Sequence, residues 1–349
     1  MSASPQELRA ARGRDPIREG RSPVVAPVIS LSSFVRADLD ILGTRYDVRQ
    51  VPCVPLARAL GAVAALRGAV GVFCWFGSVR FLPLVAAARL LGKPVVIVAG
   101  GYDVANLPEI GYGNMRPGLA RLLGRWVFRL ADAVLAYSRA AAEEAVTHAR
   151  VPPGRLRMIY LGFDPERFGS GASLGPKEPL VLTVAGIDRS SIRRKRLAAV
   201  VRVAKLMPEV QFVVAGRADA SALAQLRELA GPNVAFPGYL SDQALQDLYR
   251  RAAVYFQPSV HEAFGCAVAE AMLFDCVPVV TRRFALPEVV GDSGYYVEPD
   301  DDLAMAAAIR RALRGPPAGA ERPRARITRE FSLDARKAAL LQVLEELYA

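Results

Sequence analysis

The chain has 349 residues, 52% hydrophobic and 23% charged, too many for one hydrophobic core and too apolar for a disordered chain, so two domains of roughly 150 residues each are expected. Its formal charge of +11 is uneven: residues 1–170 carry 22 lysines and arginines against 13 acids, residues 171–349 carry 23 against 21. The basic first half suits an anionic acceptor, an anionic membrane surface or nucleic acid through the same screened Coulomb attraction, or is a solvated surface of an Arg-rich chain.

From the start, Met1 to Arg21 has arginines but no apolar run behind them, which speaks against a signal peptide. The longest apolar stretches, Ala59 to Phe76 and Leu82 to Gly101, are interrupted by Arg67, Arg89, Lys93 and Pro94. Neither offers the ~20 uninterrupted residues of a membrane span. They read as helix followed by buried strand, in a protein expected in the cytoplasm. Strands are predicted at Val24 to Ile29, Val70 to Trp75, Pro94 to Ala99 and Ala133 to Ala136, then at Leu180 to Ala185, Gln211 to Ala215, Val234 to Phe236, Val254 to Phe256 and Val277 to Val280. Their alternation with Ala/Leu/Arg-rich helical stretches predicts βαβ units and parallel sheets.

Between the halves, Ile159 to Gly175 has the turn-rich composition of a linker, with Gly162, Pro165, Gly169 and Gly171. A last helix, Leu333 to Leu347, carries Ala338, Leu341, Leu344 and Leu347 at helical spacing and must bury that stripe, plausibly on the N-terminal domain. The organisation expected is an α/β pair of doubly wound Rossmann-like domains facing a cleft: residues 1–165, residues 166–332 and a helix over 333–349. Cys53, Cys74, Cys266 and Cys276 form no Cys-x-x-Cys pair, and two histidines cannot build a metal cluster alone. Neither a disulfide frame nor a structural zinc is expected. Dinucleotide and P-loop glycine signatures are absent.

The stretch Pro258-Ser-Val-His-Glu-Ala-Phe-Gly-Cys-Ala-Val-Ala-Glu-Ala-Met272 follows a predicted strand. A polar turn and Gly265 lead into an Ala-rich helix, so backbone N–H groups around Phe264 to Cys266 face the cleft as an anion site. Glu262 stands at this helix mouth. Glu270 lies eight residues later, about two turns along one face. Two such carboxylates can each hold a vicinal diol, or be a solvated helix face. The apolar neighbours Ala267, Val268, Ala269, Ala271 and Met272 weigh toward burial, where a carboxylate needs partners.

This stretch resembles the E-x7-E motif of glycosyltransferase family 4, the retaining GT-B enzymes. Tyr160-Leu-Gly-Phe-Asp-Pro-Glu-Arg-Phe168 resembles the family's N-G-V-D-x-x-x-F linker, Phe236-Pro-Gly-Tyr-Leu-Ser241 its F-x-G-x-v-s turn, and Ala285-Leu-Pro-Glu-Val-Val-Gly-Asp292 its g-x-p-E-v-v segment. The family's G-R-L and K-G-L pieces are less well kept: Gly186 is present, Ile187 replaces the arginine, and Lys195-Arg-Leu197 replaces K-G-L.

The resemblance implies that Lys195, helped by Arg194, contacts a diphosphate, that Glu270 binds ribose and Glu262 the donor sugar, and that Gly238 lies near the base. His261, Ala263, Phe264 and Gly265 complete the implied donor site. The basic cluster can also be a solvated helix start. In the first half, Gly100-Gly-Tyr-Asp-Val104 places Asp103 at the cleft, either as a catalytic group or as a loop cap. Many family members keep a histidine here and this chain has none. Ser30 to Ser33 stands where relatives often have glycines. His148, in a helix predicted over Arg139 to Arg150, reads as structural.

The implied reaction moves a sugar from a nucleoside-diphosphate sugar to an acceptor hydroxyl with retention, the diphosphate stabilised by Lys195, Arg194 and a helix dipole in place of a metal. No cofactor is implied. The partners are the nucleotide sugar, a glycan or lipid-linked acceptor and an anionic membrane contacted peripherally, without nucleic acid. Rival readings are another GT-B enzyme, such as a phosphorylase or epimerase, and a catalytically silent subunit that binds nucleotide sugar.

Overall fold

The structure is a computed structural model that describes residues 21–29, 31–52, 59–167 and 175–348. Residues 1–20, Ser30, Cys53, Phe168, Gly169 and Gly171, on which some sequence expectations fall, lie outside the described residues. The chain forms two units. Unit 1 runs to Pro108, resumes over Tyr112–Gly162 and takes the residues from Leu333 onward; unit 2 is Phe163–Ser332 with Glu109–Gly111.

Unit 1 alternates strand and helix: β1 (Pro23–Val28), α1 (Ser33–Gly43), β2 (Asp47–Pro52), α2 (Ala59–Ala64), β3 (Gly71–Trp75), α3 (Leu82–Leu90), β4 (Val95–Ala99), α4 (Leu119–Arg129), β5 (Ala133–Ala136), α5 (Arg139–Thr147) and β6 (Leu156–Met158). The strands form one parallel sheet in the order β2-β1-β3-β4-β5-β6. Strands β3 and β4 are buried along their whole length, as a parallel sheet covered on both faces requires. The helix predicted to reach Arg150 ends at Thr147. Its N-cap Ser138 accepts from the Ala141 amide at 3.0 Å.

Unit 2 continues with β7 (Glu178–Val184), α6 (Arg189–Arg194), α7 (Leu197–Lys205), β8 (Gln211–Ala215), α8 (Ala220–Leu229), β9 (Val234–Gly238), α9 (Asp242–Arg251), β10 (Ala252–Gln257), α10 (Cys266–Leu273), β11 (Val277–Thr281), α11 (Leu286–Val290), β12 (Tyr295–Val297), α12 (Asp302–Ala312) and α13 (Pro323–Glu330). Its parallel sheet has the order β12-β11-β10-β7-β8-β9. Three of the observed strands, β2, β6 and β12, were not among those predicted. All three lie at sheet edges, where a strand is short or polar and lacks the continuous apolar run that marks its central neighbours.

The last helix, α14 (Leu333–Tyr348), packs within unit 1. Its Arg336 is buried and grips the buried Asp38 of α1 through two bonds, Nε to Oδ1 at 2.6 Å and Nη2 to Oδ2 at 2.7 Å. Arg336 Nη1 also donates to the Ile159 and Tyr160 carbonyls, and Trp75 Nε1 donates to Asp38 at 2.9 Å. At the far end Tyr348 donates to the Val72 carbonyl at 2.8 Å. Its ring fills the space over Gly71, where a Cβ would come within 2.3 Å of it.

Removing one member of a buried ion pair leaves the other charge uncompensated, which costs about 3–5 kcal/mol. Arg336→Met is therefore expected to lower the stability of unit 1 by that amount in a urea titration followed by Trp75 emission. Adding Asp38→Asn to the same chain should recover much of the loss, since the amide still accepts from Trp75. Equal losses in the single and double variants would assign the cost to packing instead.

Candidate functional site

In unit 2 the chain leaves β7 toward β8 and β9 on one side of the sheet, and β10 toward β11 and β12 on the other. Loops that diverge from two adjacent parallel strands open a crevice at their carboxyl ends, the switch point where such sheets bind ligands. Residues 185–188 and 258–265 flank this point. The second of them is tied to the end of α6: the Val260 amide donates to the Arg194 carbonyl at 2.8 Å.

After β7, Gly186 is exposed and Ile187 is buried in the unit 2 core. No cation can come from the Ile187 position. Asp188 caps α6 by accepting from the Ser191 amide at 2.9 Å and so directs the helix end, Arg194 and Lys195, back to the loop after β10. The next residue, Arg196, has a φ of 54°, a left-handed conformation that glycine adopts without strain.

Glu262 is the centre of the cluster, with 8% of its surface exposed. Its Oε1 accepts from Arg194 Nη1 at 3.1 Å and from Ser259 Oγ at 3.2 Å, and lies 3.4 Å from Lys195 Nζ. Burial pushes this carboxyl up, but the charges of Lys195 and Arg194 outweigh it and hold the group below its ordinary value. Two cations facing one carboxylate leave one net positive charge.

Helix α10 begins beside this cluster. Its N-cap, Gly265, has a φ of +101° and no side-chain cap; a side chain there would be strained and would press on Leu286 at 3.1 Å. Glu270 is half-buried on α10, and its Oε2 accepts from the Tyr249 hydroxyl at 3.2 Å. Burial, followed by the Glu270 charge, pushes the Tyr249 hydroxyl well up, so it stays a donor. Tyr249 itself is stacked on Phe274 at 5.6 Å.

Several sequence expectations need correction. Glu262 and Glu270 do not share a helical face, because α10 starts only at Cys266 and Glu262 lies in the loop before it. The His261 ring is fully buried against Phe284, with centroids 4.3 Å apart; its carbonyl, which accepts from Arg194 at 3.1 Å, is what joins the cluster. Phe264 is a packing residue, stacked on Phe163 at 5.8 Å and edge-on to Phe331 at 5.3 Å, and Ala263 sits half-buried between it and Glu262. Burial, with the charges of Glu270 and Glu262, pushes the Cys266 thiol far up.

Sequence reasoning did not single out Ser259 or Tyr249, and no local motif marks them as partners of the two glutamates. It also passed over the pair beside Gly238. Gly238 ends β9 with a φ of +78°, and its carbonyl accepts from the Gly216 amide at 2.9 Å. The exposed ring of Tyr239 follows, with the Arg217 guanidinium 4.5 Å from its centroid.

In unit 1, Asp103 is buried and accepts from the Gly77 amide at 2.7 Å and the Gly100 amide at 2.9 Å, one on each oxygen. It ties the turns after β3 and β4 together. Both glycines are hemmed in, Gly77 by Phe128 and Gly100 by Phe76. Of the two uses open to it from sequence, the loop cap is the one these bonds describe. His148 caps α5 and its Nδ1 lies 3.1 Å from the Val104 carbonyl.

The sequence profile described as Glycosyl transferases group 1 matches residues 178–315, and that described as Glycosyltransferase Family 4 matches residues 54–167. Together they span most of both units, including both carboxylate clusters. The chain belongs to glycosyltransferase family 4. Among relatives of this family 4 chain is the serotype-specific mannosyltransferase WbdA of Escherichia coli, 28% identical over 203 residues, 53% of this chain and 25% of that protein. Another is the D-inositol 3-phosphate glycosyltransferase of Mycolicibacterium gilvum, 28% identical over 271 residues, 72% of this chain and 58% of that protein. The chain thus spans a quarter of the length of the first and less than two thirds of the second.

Among solved structures, Anabaena HepE in complex with UDP and glucose has a TM-score of 0.76 at 16% identity, covering 93% of this chain and 100% of that one. Sucrose-phosphate synthase from Thermosynechococcus elongatus has a TM-score of 0.73 at 18% identity, covering 94% and 99%. These likenesses establish that the family 4 chain has the GT-B fold.

The buried Asp103 has a pH consequence. Burial pushes its carboxyl from 3.8 to about 6, against the pull of the Gly77 and Gly100 amides. Because the folded value is the higher one, the folded state takes up the proton first as pH falls. Its stabilising contribution is full below about 3.8 and is lost as pH rises through about 6. The stability difference between wild type and Asp103→Asn should therefore change between these pH values, by about 3 kcal/mol at most, and be flat above them. A difference that is flat throughout would mean that Asp103 keeps an ordinary value.

Proposed function

We propose that this chain transfers a glycosyl group from a nucleoside-diphosphate sugar, bound by unit 2, to an acceptor hydroxyl presented by unit 1, with retention of configuration and without a resident metal. The observation that carries this reading is the convergence of Arg194, Lys195, Glu262 and the N-terminus of α10 at the switch point between β7 and β10. Family membership supports the reaction class. The mannosyltransferase and inositol-phosphate glycosyltransferase relatives, and the HepE structure with UDP and glucose, support a nucleotide-sugar donor. The acceptor in this reading is a glycan or glycolipid.

In this reading the diphosphate lies over the α10 N-terminus, whose unpaired amides and partial positive charge favour an anion. Arg194 and Lys195 supply the remaining charge. Glu270, oriented by Tyr249, accepts from the ribose diol. Glu262 offers Oε2 to a hydroxyl of the donor sugar, because Arg194, Lys195 and Ser259 all engage its Oε1. Gly238, with Tyr239 and Arg217, flanks the base.

As the bond from the anomeric carbon to the diphosphate oxygen breaks, its electron pair stays on the diphosphate. The acceptor oxygen bonds to the same face of that carbon, and its proton passes to the departing diphosphate oxygen. Stabilisation of the developing negative charge by fixed cations and amides is the main catalytic contribution in such a step. Asp103 acts as a positioning residue for the turns of unit 1 and takes no proton from the acceptor.

Lys195→Ala is expected to weaken nucleoside-diphosphate binding roughly 10- to 100-fold, the size of a lost charge-assisted hydrogen bond, while leaving nucleoside binding within about twofold. Titration calorimetry on both ligands checks this, and equal losses would remove Lys195 from the diphosphate.

Steady-state kinetics of the purified chain separate the two glutamates. Glu270→Gln should raise the donor KM about tenfold with kcat nearly unchanged, whereas Glu262→Gln should lower kcat by a factor of about 100 or more. A wild-type chain that binds nucleotide sugars yet neither transfers nor hydrolyses them would instead be a silent binding subunit.

A further inference from the structure

Helix α4, Leu-Ala-Arg-Leu-Leu-Gly-Arg-Trp-Val-Phe-Arg, has a core face made of Gly124, Val127 and Phe128. On the opposite face Leu119, Leu122 and Trp126 are 69%, 56% and 50% exposed. Their spacing of three and four residues puts them in one stripe. Arg121, Arg125 and Arg129, spaced by four, run beside it. Helix α3 packs against α4, and it leads into two more exposed leucines, Leu90 at 89% and Leu91 at 59%. Single exposed leucines are ordinary on a protein surface. A tryptophan and two leucines in a row on one helix, beside a row of arginines, are not.

The arginines supply an independent observation. Among the described residues, no carboxylate forms an ion pair with Arg121, Arg125 or Arg129, although arginines elsewhere in the unit do find one, as Arg89 does in Asp132. Arg125 donates to the His148 carbonyl at 2.9 Å, and the Arg129 guanidinium lies 5.7 Å over the Trp126 ring. The charged groups around Arg125 are other cations, Arg121 and Arg150. Like charges gathered without counter-charges are matched by an anionic surface.

We propose that the outer face of α4 docks on an anionic lipid bilayer, with Leu119, Leu122 and Trp126 entering the headgroup boundary and Arg121, Arg125 and Arg129 lying among the headgroups. Apolar burial and attraction to anionic lipid are the two terms that hold an amphipathic helix in the plane of a membrane. Indole rings favour the headgroup level, and arginine stems can lie along apolar surface while the guanidinium stays wet. The surface rests on unit 1 alone and is independent of the donor-site assignment.

The full chain carries its own probe. Of its two tryptophans, Trp75 is buried and hydrogen-bonded to Asp38, so a vesicle-induced change in emission reports Trp126. Vesicles of phosphatidylcholine with phosphatidylglycerol should shift the emission to the blue and sediment the protein, and vesicles of phosphatidylcholine alone should do neither. Raising the salt should weaken the binding. Arg121→Gln with Arg129→Gln should weaken it roughly thirtyfold, at about 1 kcal/mol for each cation. Leu119→Ser with Leu122→Ser should weaken it about tenfold or more; Leu119, Leu122 and Arg129 are exposed and Arg121 is half-buried, and unchanged circular dichroism verifies the fold. Absence of a blue shift with anionic vesicles, or equal binding to both kinds, overturns the proposal. So does a dimer in sedimentation velocity that the leucine substitutions dissociate, because the face would then belong to a second copy.

Discussion

A buried carboxylate must be matched or neutralised, and the way unit 2 matches Glu262 determines most of its local architecture. The charge draws in Arg194 and Lys195 from the end of α6 and the hydroxyl of Ser259 from its own loop. That fixes the loop after β10 against the end of α6. Breaking such a buried pair from one side costs about 3–5 kcal/mol, so the loop cannot swing away from the helix alone. Asp103 in unit 1 is the contrasting case. It meets two backbone amides and no cation, and burial pushes it to about 6. The Glu262 cluster, with two cations on one carboxylate, keeps one positive charge over.

The central strands were legible because burial on both faces demands unbroken apolar runs: Val95 to Ala99 and Val277 to Val280 could hardly be anything else. The edge strand β2, Asp-Val-Arg-Gln-Val-Pro, reads as loop for the opposite reason. One of its edges pairs and the other does not, so the sequence tolerates charge and proline there. Arg336 is also illegible. An arginine on an amphipathic helix reads as solvated, and its partner Asp38 is 298 positions away.

At the site, residue types were legible and geometry was not. The spacing of Glu262 and Glu270 suggested one helical face because eight residues are about two turns. What local spacing cannot reveal is that Gly265 takes a left-handed conformation and delays the helix to Cys266. His261 was read as a site residue by its position beside Glu262 and Phe264 by its backbone amide; a loop that turns sharply must send some side chains inward. These two go to Phe284 and to the Phe163–Phe331 pair. Tyr249, which reaches Glu270 from a different helix, has no sequence signal at all.

Ile187 puts an apolar side chain into the unit 2 core where the pattern has an arginine, and in the proposed reading Arg194 at the end of α6, paired with Glu262, supplies the guanidinium instead. Arg196 replaces the glycine of K-G-L and accepts the left-handed turn that glycine would take freely, a strain of about 1 kcal/mol or more. Its side chain donates to Asp300, on the segment before α12, and this contact offsets part of that strain. The turn in turn aims Lys195 at Glu262. The surplus charge of this cluster and about half a charge at the α10 N-terminus act from fixed groups on either side of the loop before α10. In the proposed reaction, fixed groups of this kind leave little reorganisation to be done as a diphosphate departs, so a cation moved from the Ile187 position to Arg194 serves the same step.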